Sequence, residues 1–262
     1  MPPKRFLWKL GDCELQLGDR TLIAAVLEMV SGGTDSRLAD PDRAFAAAVS
    51  SEEMGADLIE LATGLGLGEQ EELRRLVPVM KRLRGKLSVP VVVATGRAAV
   101  AARAIELGAA AIYDPSGLTV DPALAKTVAG AHAGLIVGHM RGRPETWARL
   151  GPSPDLMGMV KADLKAALLR ARRAGLEPSQ MVLDPGLGQG KRKEENALIL
   201  ARLDDLRELN LPLAVAPAQE PGAASAALIA AAVLGGAHLI RFADVETARA
   251  AAKAADLIVR AG

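Results

Sequence analysis

The chain has 262 residues, half of them hydrophobic and 24% charged, with 32 basic against 31 acidic side chains and a formal net charge of +1. Such a balance argues against a nucleic-acid partner, and no apolar stretch reaches the roughly 20 residues that cross a bilayer. A single cysteine, Cys13, excludes an internal disulfide, and the N-terminus lacks a basic stretch followed by an apolar one, so a soluble cytoplasmic protein is expected.

Phe6 to Leu17 alternates apolar and polar residues around Gly11-Asp12, which predicts a β-hairpin. The hairpin, within residues 1–20, is placed to plug the N-terminal mouth of whatever follows. Beyond it, short apolar runs alternate eight times with segments of helical spacing, the signature of a parallel sheet wrapped by helices. The predicted strands are Leu22–Glu28, Asp57–Leu61, Val89–Ala94, Ala110–Tyr113, Gly134–Gly138, Met181–Asp184, Leu213–Ala216 and Leu239–Phe242. The predicted helices are Pro41–Met54, Glu69–Arg84, Arg97–Leu107, Ala123–Gly130, Asp155–Ala174, Glu194–Leu209, Ala223–Leu234 and Val245–Ala261. Gly55, Gly108, Gly175 and Gly235 stand where left-handed residues end helices. Eight units over 1–262 predict one α/β domain, a (β/α)8 TIM barrel carrying an N-terminal β-hairpin.

In such a barrel the chemistry sits at the C-terminal ends of the strands. The sixth run, Met181-Val182-Leu183-Asp184, ends on a lone carboxylate before the glycine-rich Pro185-Gly186-Leu187-Gly188-Gln189-Gly190-Lys191. A carboxylate there is costly without a partner, and the glycines let backbone approach a bound molecule, so Asp184 is the leading candidate for ligand binding. Its alternative role is to cap its own turn through the glycine amides. Glu28, Tyr113, Asp114, His139, Glu220 and Arg241 stand at other strand ends. Arg241 has a structural alternative, pairing with Asp114 or Asp184 across the mouth. His139 reads as structural. Lys191 lacks P-loop spacing and reads equally well as a solvated lysine.

Four segments carry a family resemblance: Asp19 to Ile23, His139 to Thr146, Asp184 to Lys191 with Asn196, and Ile240 to Val245. On them the chain resembles the dihydropteroate synthases. The resemblance implies a pterin-binding barrel that joins a dihydropterin methyl diphosphate to p-aminobenzoate in folate biosynthesis, a transferase reaction, with magnesium as a possible cofactor. It implies that Asp184 pairs with the amino-pyrimidine edge of the pterin and that Arg241 binds the diphosphate. It places Tyr113 and Glu220 at pterin-facing positions and Glu28 where the family's Asn helps hold diphosphate and magnesium. It also implies a homodimer, with the alanine-rich last two helices as the contact.

The departures from the family are specific. The first-strand loop reads Glu28 to Ser36 in place of Asn-Val-Thr-Pro-Asp-Ser-Phe-Ser, and the second-strand loop Ala62 to Gly68 has lost its polar residues to Leu65 and Leu67. The third-strand carboxylate is Ala94, the fourth-strand Asn is Tyr113, the seventh-strand Lys is Glu220, and the last-strand His is Ala243. Several lost partners, each worth about 1–3 kcal/mol, argue against retention of the inherited reaction. An acidic mouth of Glu28, Asp184 and Glu220 would favour a cation, an amine or a divalent metal, and raise the pKa of at least one member. Three readings follow: a synthase with remodelled loops, a pterin-barrel homologue that is non-catalytic or takes another ligand, and a methyltetrahydrofolate-corrinoid methyltransferase. An open cleft lined by Asp184, Arg241 and Tyr113 would favour ligand binding, and a pocket closed by Leu65 and Leu67 would not.

Overall fold

A computed structural model describes residues 4–29 and 40–261, so the altered first-strand loop from Val30 to Ser36 lies outside the described residues. Strands β1 (Phe6–Leu10) and β2 (Cys13–Leu17) pair antiparallel as the expected hairpin. Eight parallel strands follow: β3 (Leu22–Glu28), β4 (Leu58–Ala62), β5 (Val91–Ala94), β6 (Ala111–Asp114), β7 (Gly134–Val137), β8 (Met181–Leu183), β9 (Ala214–Val215) and β10 (Leu239–Phe242). They pair in the order β8-β7-β6-β5-β4-β3-β10-β9, and a bridge from Leu183 to Leu213 brings β8 back to the β9 end. Helices α1 (Pro41–Glu53), α2 (Glu69–Leu83), α3 (Ala98–Glu106), α4 (Leu124–Gly130), α5 (Leu156–Arg173), α6 (Lys193–Ala201), α7 (Ala223–Leu234) and α8 (Val245–Ala261) follow the strands in turn. The architecture is the predicted (β/α)8 barrel.

Because side chains alternate across a strand, each barrel strand serves two cores. Ile59, Leu61, Ile112, Leu135, Leu183 and Ile240 face outward into the layer beneath the helices. Leu58, Val92, Ala111, Ile136, Val182 and Leu239 face inward and pack with Trp8, Leu10 and Leu17 of the hairpin. The hairpin therefore closes the N-terminal mouth: Trp8 is fully buried and donates its indole N–H to the Gln180 carbonyl at 3.0 Å. Gly134 makes room for it, since a Cβ there would lie 2.3 Å from a Leu10 methyl.

Two sequence expectations change in detail. Left-handed Gly55, Gly108 and Gly175 end their helices, but Gly235 stays right-handed and Gly236, at φ +103°, makes the turn. The predicted helix Glu194–Leu209 breaks at Arg202 into α6 and a 3₁₀ segment Leu203–Leu209, which buries both Leu203 and Leu206 before left-handed Asn210.

Candidate functional site

The same two-residue period builds the site. Two residues above inward-facing Leu58, Ala111, Val182 and Leu239 stand Glu60, Tyr113, Asp184 and Arg241, which therefore also point into the barrel at its C-terminal end. Small neighbours, Ala94 on β5 and Ala216 after β9, leave space beside them, and a cavity of about 1550 Å³ opens above.

Arg241 organises the cluster. Its Nε and one Nη donate to the two carboxylate oxygens of Glu60, each at 2.6 Å, while the other Nη donates to Asp184. The guanidinium carbon lies 3.6 Å from the Tyr113 ring centroid, so the ring stacks on one face of the cation. All four side chains are buried. Burial alone would lower the Arg241 pKa, but the carboxylates of Glu60 and Asp184 outweigh it and hold the pKa well above the ordinary value. Burial raises the Asp184 carboxyl above its usual range against the opposing pull of Arg241 and the Gly186 amide. Burial and the Asp184 charge push the Tyr113 phenol up, so the ring is neutral.

Asp184 takes the capping role considered for it and lies at the cavity wall. One oxygen accepts from the Gly186 amide at 2.7 Å and the other from Arg241, so it caps its turn while facing the cavity. Lys191 is not solvated. Its ammonium donates to the carbonyls of Gly186 at 2.7 Å, His139 at 3.0 Å and Gln189 at 3.3 Å, and burial brings its pKa down to about 7. Left-handed Gly186 and Gly190 make this fold possible, since a Cβ at either would meet the carbonyl of His139 or Arg141. His139 is buried just beyond β7. It is held against Asp163 at 3.0 Å, and burial and the Lys191 charge bring its pKa down to about 4.

The acidic mouth does not form. Glu28 ends β3 exposed at the cavity rim, whereas Glu220 sits outside the lining and pairs with Lys193 at 3.3 Å. Strand β9 is only two residues long and ends at Val215, so Glu220 falls on the loop leading to α7, with its amide bonded to Ser225 Oγ at 2.8 Å. Among the described residues no group of three His, Cys, Asp or Glu side chains is arranged to hold a metal ion. The raised pKa of Asp184 arises first from burial.

Glu60 is the site residue that the sequence reading missed. Its signal was present, a lone carboxylate inside the apolar run Leu58-Ile59-Glu60-Leu61. The second-strand loop does not seal the pocket. Leu65 and Leu67 line an open cleft, and Arg97 secures the loop by donating to the Leu67 carbonyl at 2.8 Å and to Glu72 at 3.0 Å.

A parallel eight-stranded barrel with a buried polar cluster under a broad C-terminal cavity is a ligand-binding (β/α)8 barrel. The chain belongs to the pterin-binding enzyme family, which matches residues 31–243, and it is a dihydropteroate synthase-like protein. A dihydropteroate synthase of Synechocystis is 34% identical over 205 residues, covering 73% of this chain and 71% of that protein. The Yersinia pestis dihydropteroate synthase in complex with a sulfonamide drug superposes with a TM-score of 0.90 at 26% identity, covering 98% of this chain and all of that one. The Burkholderia cenocepacia enzyme complexed with 7,8-dihydropteroate gives 0.84 at 27% identity, covering 98% of this chain and 97% of that one.

Proposed function

We propose that this barrel binds a flat, amine-bearing heterocycle of the pterin type at Asp184 and does not carry out the diphosphate-dependent condensation with p-aminobenzoate. The observation that carries this reading is charge. Described cavity-lining residues supply five carboxylates, Glu28, Glu60, Glu72, Glu145 and Asp184, against three guanidiniums, Arg97, Arg143 and Arg241. Arg241, the cation inherited for diphosphate, already gives three of its five N–H donors to Glu60 and Asp184. Such a lining suits a donor-rich neutral or cationic ring and repels a polyanion. Asp184 keeps lone pairs for an amino-pyrimidine edge beyond those given to Gly186 and Arg241.

The test is calorimetric titration with a dihydropterin, and then with its methyl diphosphate plus magnesium, in the natural chain and in Asp184→Asn. Binding of the dihydropterin should weaken about 10- to 100-fold in the variant, corresponding to the loss of a charge-assisted hydrogen bond. The diphosphate should bind no tighter, and p-aminobenzoate should release no pyrophosphate. Magnesium-dependent tightening at Glu28, or pyrophosphate release, would establish the synthase reaction instead. The proposal extends to a cytoplasmic homodimer through the last two helices, a reading supported by exposed Leu234 on α7 and Leu257 and Ile258 on α8.

A further inference from the structure

Glu60 stands in the middle of β4, buried at 1% exposure, and borders the cavity. Among the described residues its carboxylate has one hydrogen-bonding partner, Arg241, which donates from Nε and one Nη at 2.6 Å each. A guanidinium recognises a phosphate in its own plane, through pairs of neighbouring N–H groups, and the Nε–Nη edge is such a pair. Glu60 fills that edge. Asp184 accepts from the other Nη, so each of the three guanidinium nitrogens already faces a carboxylate. Arg241 and Asp184 also border the cavity, and an anion entering it therefore meets one cation shared by two carboxylates. The two N–H groups that Arg241 has left lie on nitrogens bonded to those carboxylates, where like charge repels a further anion.

We propose that Glu60 is the residue that sets the charge selectivity of the cavity: by filling the bidentate edge of Arg241 it withholds the buried cation from phosphate groups. This inference rests on the reading that the cavity refuses a diphosphate, and it names the side chain responsible. Asp184 takes one N–H of Arg241 where Glu60 takes two, and its other oxygen is tied to the Gly186 amide. Glu60→Gln is the informative change. The amide keeps the volume of the side chain and one acceptor oxygen, but its NH2 cannot accept, so one guanidinium N–H is released and one negative charge is removed.

The experiment titrates inorganic pyrophosphate into the natural chain, Glu60→Gln and Glu145→Gln, followed by calorimetry and by the Arg241 Nε–H signal in NMR spectra of isotope-labelled protein. Circular dichroism and thermal melting identify the variants that fold. Glu145 is an exposed carboxylate of the cavity lining, so its variant removes the same charge while leaving the bonds of Arg241 in place. Glu60→Gln should bind pyrophosphate about tenfold tighter or more than the natural chain, with the Arg241 signal moving along the titration, and Glu145→Gln should stay within about threefold. An equal gain in both variants overturns the role of Glu60, as does a gain with the Arg241 signal unmoved, or no gain in Glu60→Gln. If the natural chain also binds no pyrophosphate in that last case, the refusal of diphosphate stands with another cause. A natural chain that binds pyrophosphate at Arg241 with micromolar affinity overturns both, whichever variants fold. Should Glu60→Gln not fold, Glu60→Asp takes its place. It keeps the charge but reaches one methylene less far, and pyrophosphate binding tightened by about threefold or more supports the filled edge, whereas unchanged binding overturns it.

Discussion

Arg241 and Glu60 meet through two parallel hydrogen bonds of 2.6 Å across a separation of 181 residues, both side chains buried inside the barrel. The arrangement is a fork-to-fork ion pair, extended on its third side to Asp184. Removing one member of a buried pair leaves the other charge uncompensated. Glu60→Ala and Arg241→Ala are each expected to destabilise the fold by about 3–5 kcal/mol, read from urea denaturation midpoints. A loss below about 1 kcal/mol would mean that water reaches the cluster and the pair is not structural.

The contrast with Glu220 tests where the site ends. Glu220 pairs with exposed Lys193 and lies off the cavity wall, so Glu220→Gln should change stability by no more than about 0.5 kcal/mol. It should also leave the heat of heterocycle binding unchanged. A large drop in affinity would return Glu220 to the site.

His139 gives the protein a pH dependence of known sign. Its pKa falls from 6.5 to about 4 on folding, so between those values the unfolded chain binds the proton and the folded chain does not. Stability therefore rises with pH across that window, by at most about 3 kcal/mol from this residue. Lys191, lowered from 10.5 to about 7, adds a rise of the same sign between those two values. Raised Asp184 and Asp114 oppose it above the ordinary carboxylate range. Denaturation of the natural chain and His139→Gln at pH 4.5 and 6.5 isolates the histidine. The natural chain should gain more stability over that interval than the variant, and equal gains would sink the assignment.

Gly186 holds the site loop together. At φ +68° its Cβ would fall 1.9 Å from the His139 carbonyl oxygen, and its amide supplies a hydrogen bond to Asp184. Gly186→Ala should cost at least about 2 kcal/mol, combining left-handed strain with that clash, and abolish Asp184-dependent binding. A variant with natural stability and binding would show that the turn has another accessible conformation.

The hairpin is the clearest stability device away from the site. Trp8 is fully buried among the inward-facing strand residues, and Trp8→Ala should cost about 3–5 kcal/mol in the same denaturation assay. Ligand binding at the opposite mouth should keep its affinity at temperatures where the variant stays folded.

Much of this molecule was legible without coordinates. Alternation in Phe6 to Leu17 gave the hairpin, and repeated apolar runs gave eight barrel strands, because periods of 2 and 3.6 are imposed locally by the backbone. Asp184 stood out because a lone charge after a buried run needs a partner. The same argument applied to Leu58-Ile59-Glu60-Leu61, but without knowing what lay opposite, Glu60 did not declare itself. Glu220 was misplaced because strand ends cannot be read to the residue, and β9 stops five residues before it.

By itself, then, the sequence determined the barrel, its plug and the strand ends that carry chemistry. Only the tertiary structure decided that Arg241 is shared between Glu60 and Asp184, that Tyr113 lies on its face, and that Lys191 is buried beneath three carbonyls. Those partners come from different strands and loops, up to 181 residues apart, and meet only when the sheet curves round on itself. Local patterning records which face of a strand is buried, whereas electrostatic partnership depends on which strands the barrel sets side by side and across its axis.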